Sequence, residues 1–411
     1  MDHTRDGEVL YSPPTDAPGA GAMYPRVTRL LHDEADGETL LASFEHYASG
    51  DPECPDPFEL DGPDAPAVPD DEPYFPVYRS TDGGQSWEPF SAICDTENGW
   101  GLRYQPVLFE LPEAVGSWDA GTVLAAGNAI PEDRSQTKLD VYASTDGGRS
   151  WSSVSTVASG GRAVPQAGES PVWEPEFALD ADRELVCYFA DERHGDEDYA
   201  QLVGHRRSLD GGKTWEDEVI DAAVPNGDDR PGMPVVTRLP DGRYVLAFEV
   251  VGPTHDGGIF VKTSPDGLDW GDPEDLGSPV ETAEGHQLTN GPYVTWTPTA
   301  TVSHDGADSP DDSAGAVVVS GKTLRDTEGE QAPGSGETLL ATTDFEDFES
   351  WTPVDAPLAF DDEFDTGHGT VGWTSPLLPA ADGTEVLELT STHVADGRCE
   401  IRYAAAPLDL S

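Results

Sequence analysis

Apolar residues occur along this chain in short stretches such as LLASF, VLAAG, LVCYFA, YVLAF and AVVVS, bounded by Gly, Pro, Asp or other polar residues. The three-to-four spacing of an amphipathic helix is hard to find anywhere, so the pattern predicts β-strands. The strands recur in a fixed order. Six times a proline-containing segment leads into an apolar strand, a turn and a second strand: YPRVTRL and TLLASFE from Tyr24, YQPVLFEL and TVLAAGN from Tyr104, WEPEFAL and ELVCYFAD from Trp173, RPGMPVVTRLPDGRYVLAFE from Arg230, GPYVTWT and GAVVVSG from Gly291, and TSPLLPAADGTEVLELTS from Thr374.

A second repeat follows each of the first five pairs. YRSTDGGQSW at Tyr78, YASTDGGRSW at Tyr142 and RRSLDGGKTW at Arg206 place Asp82, Asp146 and Asp210 at intervals of 64 residues. A shortened copy, TSPDGLDW, carries Asp266, and a degraded one, TTDFEDFESW, carries Asp344. The carboxylate suits nearby backbone N–H groups, the glycines supply positive φ, and the Trp fills the apolar gap beside the turn. These turns are therefore expected to be structural clamps. Calcium loops are not expected, because the D-x-D-x-D-G ligand ladder is missing.

Six four-stranded units at a period of roughly 60 to 80 residues predict an all-β, six-bladed β-propeller in one domain, with the Asp turns joining third and fourth strands. The expected blades are residues 24–103, 104–172, 173–229, 230–290, 291–372 and 373–411. The sixth offers only CEIRYAAAP after its first two strands, so residues 7–14, GEVLYSPP, are expected to complete it. Closure by both termini removes an exposed sheet edge. The Pro/Asp-rich segment DPECPDPFELDGPDAPAVPDDEP in blade 1 and SHDGADSPDDSAG in blade 5 are read as solvent loops.

Composition narrows the partners. Of 411 residues, 80 are acidic and 22 basic, a formal net charge of −58 spread along the whole length. Such a surface repels phosphates and excludes nucleic acid as an expected partner. It suits high salt, where screening shortens the range of self-repulsion, and a halophilic source is expected. Cys54, Cys94, Cys187 and Cys399 show no CxxC spacing, so neither a zinc site nor a disulfide framework is indicated. No run approaches a membrane span, and MDHTRDGEVLYS lacks the pattern of a secretory signal. No nucleotide fingerprint, phosphate loop or Ser-His-Asp order is present, and no cofactor is implied.

Blade topology separates scaffold from site. The leading ends of first strands and the trailing ends of second strands share one face near the axis, away from the Asp turns. That face should collect Arg26, Arg103, Tyr104, Glu174, Arg230 and Tyr293 with Glu45, His46, Asn128, Asp191, Glu249 and His393. Glu174 opens the first strand of blade 3, and Glu249 ends the second strand of blade 4. Paired carboxylates are what glycosidic bond cleavage needs, one to protonate the leaving oxygen and one to attack or to activate water. The arginines suit sugar hydroxyls or structural ion pairs, and Tyr104, Trp173 and Tyr293 suit furanose stacking or packing between blades. His46 and His393 have no ligand spacing.

The Asp turns are the Asp-box (BNR) repeats of the sialidase superfamily. The ordered set YPR, YRSTDGGQSW, NGWGLRYQP, AGTVLAAGN, YASTDGGRSW, VWEPEF, RPGMPVVTRLPDGRYVLAFE and PYVTW resembles glycoside hydrolase family 93, the exo-acting α-L-arabinanases, from about Val9 to the end of the chain. The resemblance implies a six-bladed propeller that releases arabinobiose from linear arabinan with retention, and it implies secretion. It also implies Glu174 as acid/base and Glu249 as nucleophile. WEPEF departs from the family pattern by adding Glu176, which period-two alternation would set beside Glu174 as an alternative acid. Arg26, Arg103, Tyr104, Asn128, Asp191, Arg230 and Tyr293 are the candidate substrate-binding residues, for a carbohydrate bound by a monomer. Two other readings stay open. An exo-sialidase would draw on Arg26, Arg230, Arg402 and Tyr403, and a glycan-binding propeller would need no catalysis.

Overall fold

The computed structural model describes residues 6–13, 21–33, 38–47, 73–165, 168–302, 308–360, 372–380, 383–393 and 399–409. Most of the blade 1 insertion, Cys54, and residues 303–307 of the acidic blade 5 loop lie outside them. Six antiparallel sheets form the blades of a β-propeller. Blade 1 runs Gly21–Arg29, Leu40–Tyr47, Tyr74–Ser80 and Glu88–Cys94; blade 2 runs Leu102–Glu110, Val123–Ala129, Thr137–Ser144 and Ser152–Gly160; blade 3 runs Val172–Leu179, Leu185–Asp191, Leu202–Ser208 and Val219–Ala223. Blade 5 comprises Tyr293–Val302, Asp308–Ser320, Thr338–Thr342 and Thr352–Asp355.

Both termini close the ring as the sequence predicts. Leu377–Pro379, Val386–His393 and Cys399–Ala406 make three strands of blade 6, and Glu8–Tyr11 adds the fourth by pairing Glu8 with Tyr403. Blade 4 departs from the simple repeat. Behind Arg230–Arg238, Tyr244–Val251 and Gly258–Ser264, its outer strand shrinks to Ser278–Pro279, and the sheet is extended by Gln287–Thr289 and Thr323–Arg325. The last of these lies in the connection between the second and third strands of blade 5, so that connection is bound to its neighbour by a β-ladder.

The core lies in six wedges between blades. Val107, Leu124 and Val141 of blade 2 meet Phe177, Leu185 and Phe189 of blade 3 in one wedge, and corresponding clusters fill the other five interfaces. The Asp turns bolt these wedges from outside. Asp146 accepts the Ser150 amide at 2.9 Å and the Ser150 and Ser144 hydroxyls at 2.6 and 2.7 Å. Trp151 Nε1 donates to Ser91 Oγ at 3.2 Å on the last strand of blade 1, and that hydroxyl donates to the Gly148 carbonyl at 2.5 Å. The same pair of bonds joins Trp215 and Gly212 to Ser155 one blade later.

The first strand of each of blades 1 to 4 carries one extra residue at a matching point, and blade 2 has a further one between Leu102 and Tyr104. Its register slips between Met23 and Arg26, Tyr104 and Val107, Trp173 and Glu176, and Gly232 and Val235. At each slip a left-handed residue precedes proline: Tyr24 (φ 49°), Gln105 (φ 55°), Glu174 (φ 60°) and Met233 (φ 52°). Gly291 (φ 61°) repeats this before Pro292 at the start of blade 5. Proline bars the right-handed helical region to the residue before it, and an inner edge strand can hold proline without losing a ladder bond. The outcome is a β-bulge, which re-aims a side chain at the place where each strand passes the axis.

Candidate active site

A bulge leaves its own amide without a ladder partner, and buried amides need one. Here the partner comes from the preceding blade. The Gln105 amide donates to Glu45 Oε2 at 2.9 Å, Glu174 to Gln105 Oε1 at 3.2 Å, Met233 to Glu174 Oε2 at 2.6 Å and Gly291 to Glu249 Oε2 at 2.7 Å. Three bulge amides and the Gly291 amide thus fix three glutamates and one glutamine around the axis. Gln105 Nε2 lies a further 3.3 Å from Glu174 Oε1.

Glu174 and Glu249 face each other from adjacent blades. Glu249 is buried, with burial and then the charge of Glu174 pushing its carboxyl up to about 8, against the Gly291 bond and the charges of Lys322 and Arg230. Glu174 is half-buried and is pushed up to about 7, again mainly by burial, against the Met233 amide and Arg230. Tyr24, at the blade 1 bulge, faces Glu174, Glu45 and Glu249, and burial followed by those charges drives its phenol far up.

Glu176 keeps different company. The bulge between Trp173 and Glu176 interrupts the period-two alternation that would pair it with Glu174. Instead it meets Arg26 of blade 1, Nε to Oε2 at 3.8 Å, and Arg26 lies over the Tyr293 ring of blade 5 at 5.6 Å. All three stand two residues beyond a left-handed residue, and together they link blades 1, 3 and 5. Burial pushes Glu176 up to about 7 against the pull of Arg26.

The other candidates hold the frame. Arg230 donates to both oxygens of Glu192, at 3.1 and 2.6 Å, and to Gln201 Oε1 at 2.6 Å; Trp173 Nε1 shares Glu192 at 2.6 Å. Asn128 is fully buried and donates to the Val172 carbonyl at 2.7 Å, and Arg103 Nε donates to the Ile130 carbonyl at 2.9 Å. Tyr104 packs against Trp173 with ring centroids 6.3 Å apart. Asp191 is fully buried and holds Arg193 through the backbone amide at 2.7 Å and the guanidinium. Asn128, Arg103, Tyr104 and Asp191 thus make backbone and blade contacts. His46 packs edge-on to Tyr74 and His393 lies 3.5 Å from Cys399 Sγ.

Of the residues expected for a sialidase, Arg26 and Arg230 both act on Glu174 at the axis, but Arg402 and Tyr403 do not join them. Arg402 Nε donates to Glu400 at 2.7 Å, and the Tyr403 hydroxyl donates to the Gln85 carbonyl at 3.1 Å, on the Asp-turn rim. Among the described residues one three-ligand group, Asp191, His194 and Glu218, has atoms close enough for a metal ion. The Arg193 guanidinium already bridges the two carboxylates there. At the axis, sequence reasoning missed Tyr24, Gln105, Lys322 and Trp373. Only the repeated X-Pro doublet, at Tyr24 and Gln105 as at Glu174, signalled two of them.

The BNR/Asp-box repeat matches residues 78–89. No curated protein sequence matches the chain. Among solved structures, the α-L-arabinanase of Penicillium chrysogenum, complexed with arabinobiose, is similar at 31% identity and a TM-score of 0.74, with 98% of each chain covered. The glycoside hydrolase family 93 α-L-arabinofuranosidase of Fusarium graminearum, also with arabinobiose, is similar at 28% identity and a TM-score of 0.76, covering 98% of this chain and 97% of that one.

Proposed function

The chain belongs to glycoside hydrolase family 93, and from that premise we propose that it cleaves arabinose-containing glycans, linear arabinan first among them, from the chain end and with retention of configuration through Glu249 and Glu174. The observation that carries the reading is the approach of these two carboxyls from adjacent blades, each clamped by a backbone amide of the next blade. Glu249, the more buried, attacks the anomeric carbon. As the C1–O bond breaks, Glu174 gives its proton to the leaving oxygen. A water then attacks C1, its proton passes to Glu174, and the bond to Glu249 breaks. Half-buried Glu174 suits the partner that must meet leaving group and water in turn.

Arg26 with Glu176 and Tyr293 forms the polar support behind the pair and offers hydroxyl-binding groups to the sugar. Arg230 reaches both carboxyls electrostatically while Glu192 and Gln201 fix its orientation. The test is hydrolysis of a linear arabino-oligosaccharide and of a sialoside, in high salt, by wild type and Glu249→Ala. Arabinobiose release by wild type, reduced at least ~10⁴-fold in the variant, is expected. Sialic acid release, or full activity without Glu249, contradicts the reading.

A further inference from the structure

We propose that Gln105 is a positioning residue for the acid: its carboxamide holds the Glu174 carboxyl so that the transferable proton stands on Oε1 and is left for the substrate. The inference rests on the reading of Glu174 as acid/base. Gln105 is the left-handed residue of the blade 2 bulge, and the bulge turns its side chain across to blade 3. Its own amide is anchored on buried Glu45, at 2.9 Å from Oε2. Support for the acid therefore runs from blade 1 through blade 2 to blade 3.

Hydrogen-bond chemistry fixes which end of the carboxamide faces which group. A backbone N–H can only donate, so the Glu174 amide, 3.2 Å away, takes Gln105 Oε1 as its acceptor. Gln105 Nε2 is thereby turned to Glu174 Oε1 at 3.3 Å, and an amide NH2 has hydrogens but no acceptor capacity to offer. Gln105 can steady that oxygen but cannot take a proton from it. The other carboxyl oxygen, Oε2, accepts the Met233 amide at 2.6 Å. It is also walled in, since a Cβ on Gly232 would stand 3.1 Å from it and 2.4 Å from Gln201 Nε2, which donates to the Pro231 carbonyl at 2.8 Å.

In a neutral carboxyl the carbonyl oxygen is the better acceptor and the hydroxyl oxygen the poorer one. The short Met233 bond accordingly selects Oε2 as the carbonyl, and the longer Gln105 contact marks Oε1 as the hydroxyl. With a donor from Gln105 beside it, that O–H keeps its proton for the leaving oxygen. As the C1–O bond breaks, the leaving oxygen takes the proton from Oε1, and Glu174 becomes a carboxylate whose two oxygens each accept one N–H. The attacking water returns a proton to it in the second half of the reaction.

The test is kcat/KM, which reports cleavage of the C1–O bond, for wild type, Gln105→Glu and Gln105→Ala. Two substrates are compared, a linear arabino-oligosaccharide and an aryl arabinobioside whose leaving group needs no proton. Gln105→Glu keeps an acceptor for the Glu174 amide but sets a second carboxyl oxygen against Oε1, where it shares the proton. Gln105→Ala removes both bonds. Each variant should lose roughly 10- to 100-fold on the oligosaccharide and far less on the aryl substrate. A glutamine that only supports the fold would lower stability and slow both substrates alike. Equal losses on the two substrates in a folded variant, full activity of Gln105→Glu, or failure of both variants to fold overturns the proposal. Glu174→Gln on the same two substrates separates the premise: a split there with none at Gln105 removes the positioning role alone, and no split at Glu174 removes the acid and the proposal with it.

Discussion

Two sets of carboxylates accept backbone hydrogen bonds in this propeller, one on the outer rim and one at the axis. At Asp82, burial works against ionisation, but the bonds from Ser86 and Ser80 together outweigh it and hold the carboxyl below its ordinary range. At Glu249, burial and the neighbouring charge of Glu174 outweigh the single Gly291 bond and push the carboxyl up to about 8. Backbone donors are present at both places. Water is excluded at only one, and that decides whether a carboxyl is a fixed anion or a group able to trade a proton near neutral pH.

The comparison can be broken by swapping consequences. At the axis, Glu174→Gln should reduce turnover of unactivated substrate by about 10² to 10⁴-fold while keeping much of the rate on aryl arabinosides whose leaving groups need no proton. Equal loss on both substrates would remove Glu174 from the acid role. The pH profile is the next largest effect. With Glu174 pushed up to about 7 and Glu249 to about 8, the free pair holds one proton between those values, resting more on Glu249, and the reactive form is the minority tautomer in which it sits on Glu174. Below that window both carboxyls are protonated and no nucleophile remains; above it both are ionised and no acid remains. A bell in kcat/KM centred there is expected, and a plateau from pH 4 to 6 would show that the axis is not as dry as described.

The rim should respond in stability instead of rate. Asp146→Ala leaves the Ser150 amide and two hydroxyls without their acceptor, a loss of about 1–2 kcal/mol measured by denaturant unfolding, with kcat unchanged. Its carboxyl is held below the ordinary range, burial opposing and the Ser150 and Ser144 bonds prevailing. The stability it adds is therefore present above the unfolded value and disappears as pH falls through the lower folded one. Loss of activity with stability intact would mean the clamp reaches the axis.

The rim was legible because it repeats. DGG followed by Ser or Thr and Trp states its turn, acceptor and plug in eight or so letters, and ring closure followed from counting strands. Glu174 and Glu249 were visible as acids at strand ends. What alternation could not foresee is the bulge: an extra residue before proline separates Glu176 from Glu174 and gives it to Arg26. Lys322 and Trp373 were hidden for another reason, since each reaches the axis through pairing between segments far apart in sequence. Asn128 and Asp191 stood at strand ends as well, but their partners are a backbone carbonyl and Arg193, which no spacing discloses.

The most direct measurement is proton NMR of the arabinobiose first released from a linear arabino-oligosaccharide, recorded before mutarotation. A nucleophilic Glu249 paired with Glu174 predicts the α-anomer, the configuration of the bond that was cut. First release of the β-anomer would mean that water attacks directly, and Glu249 could then be no more than its base.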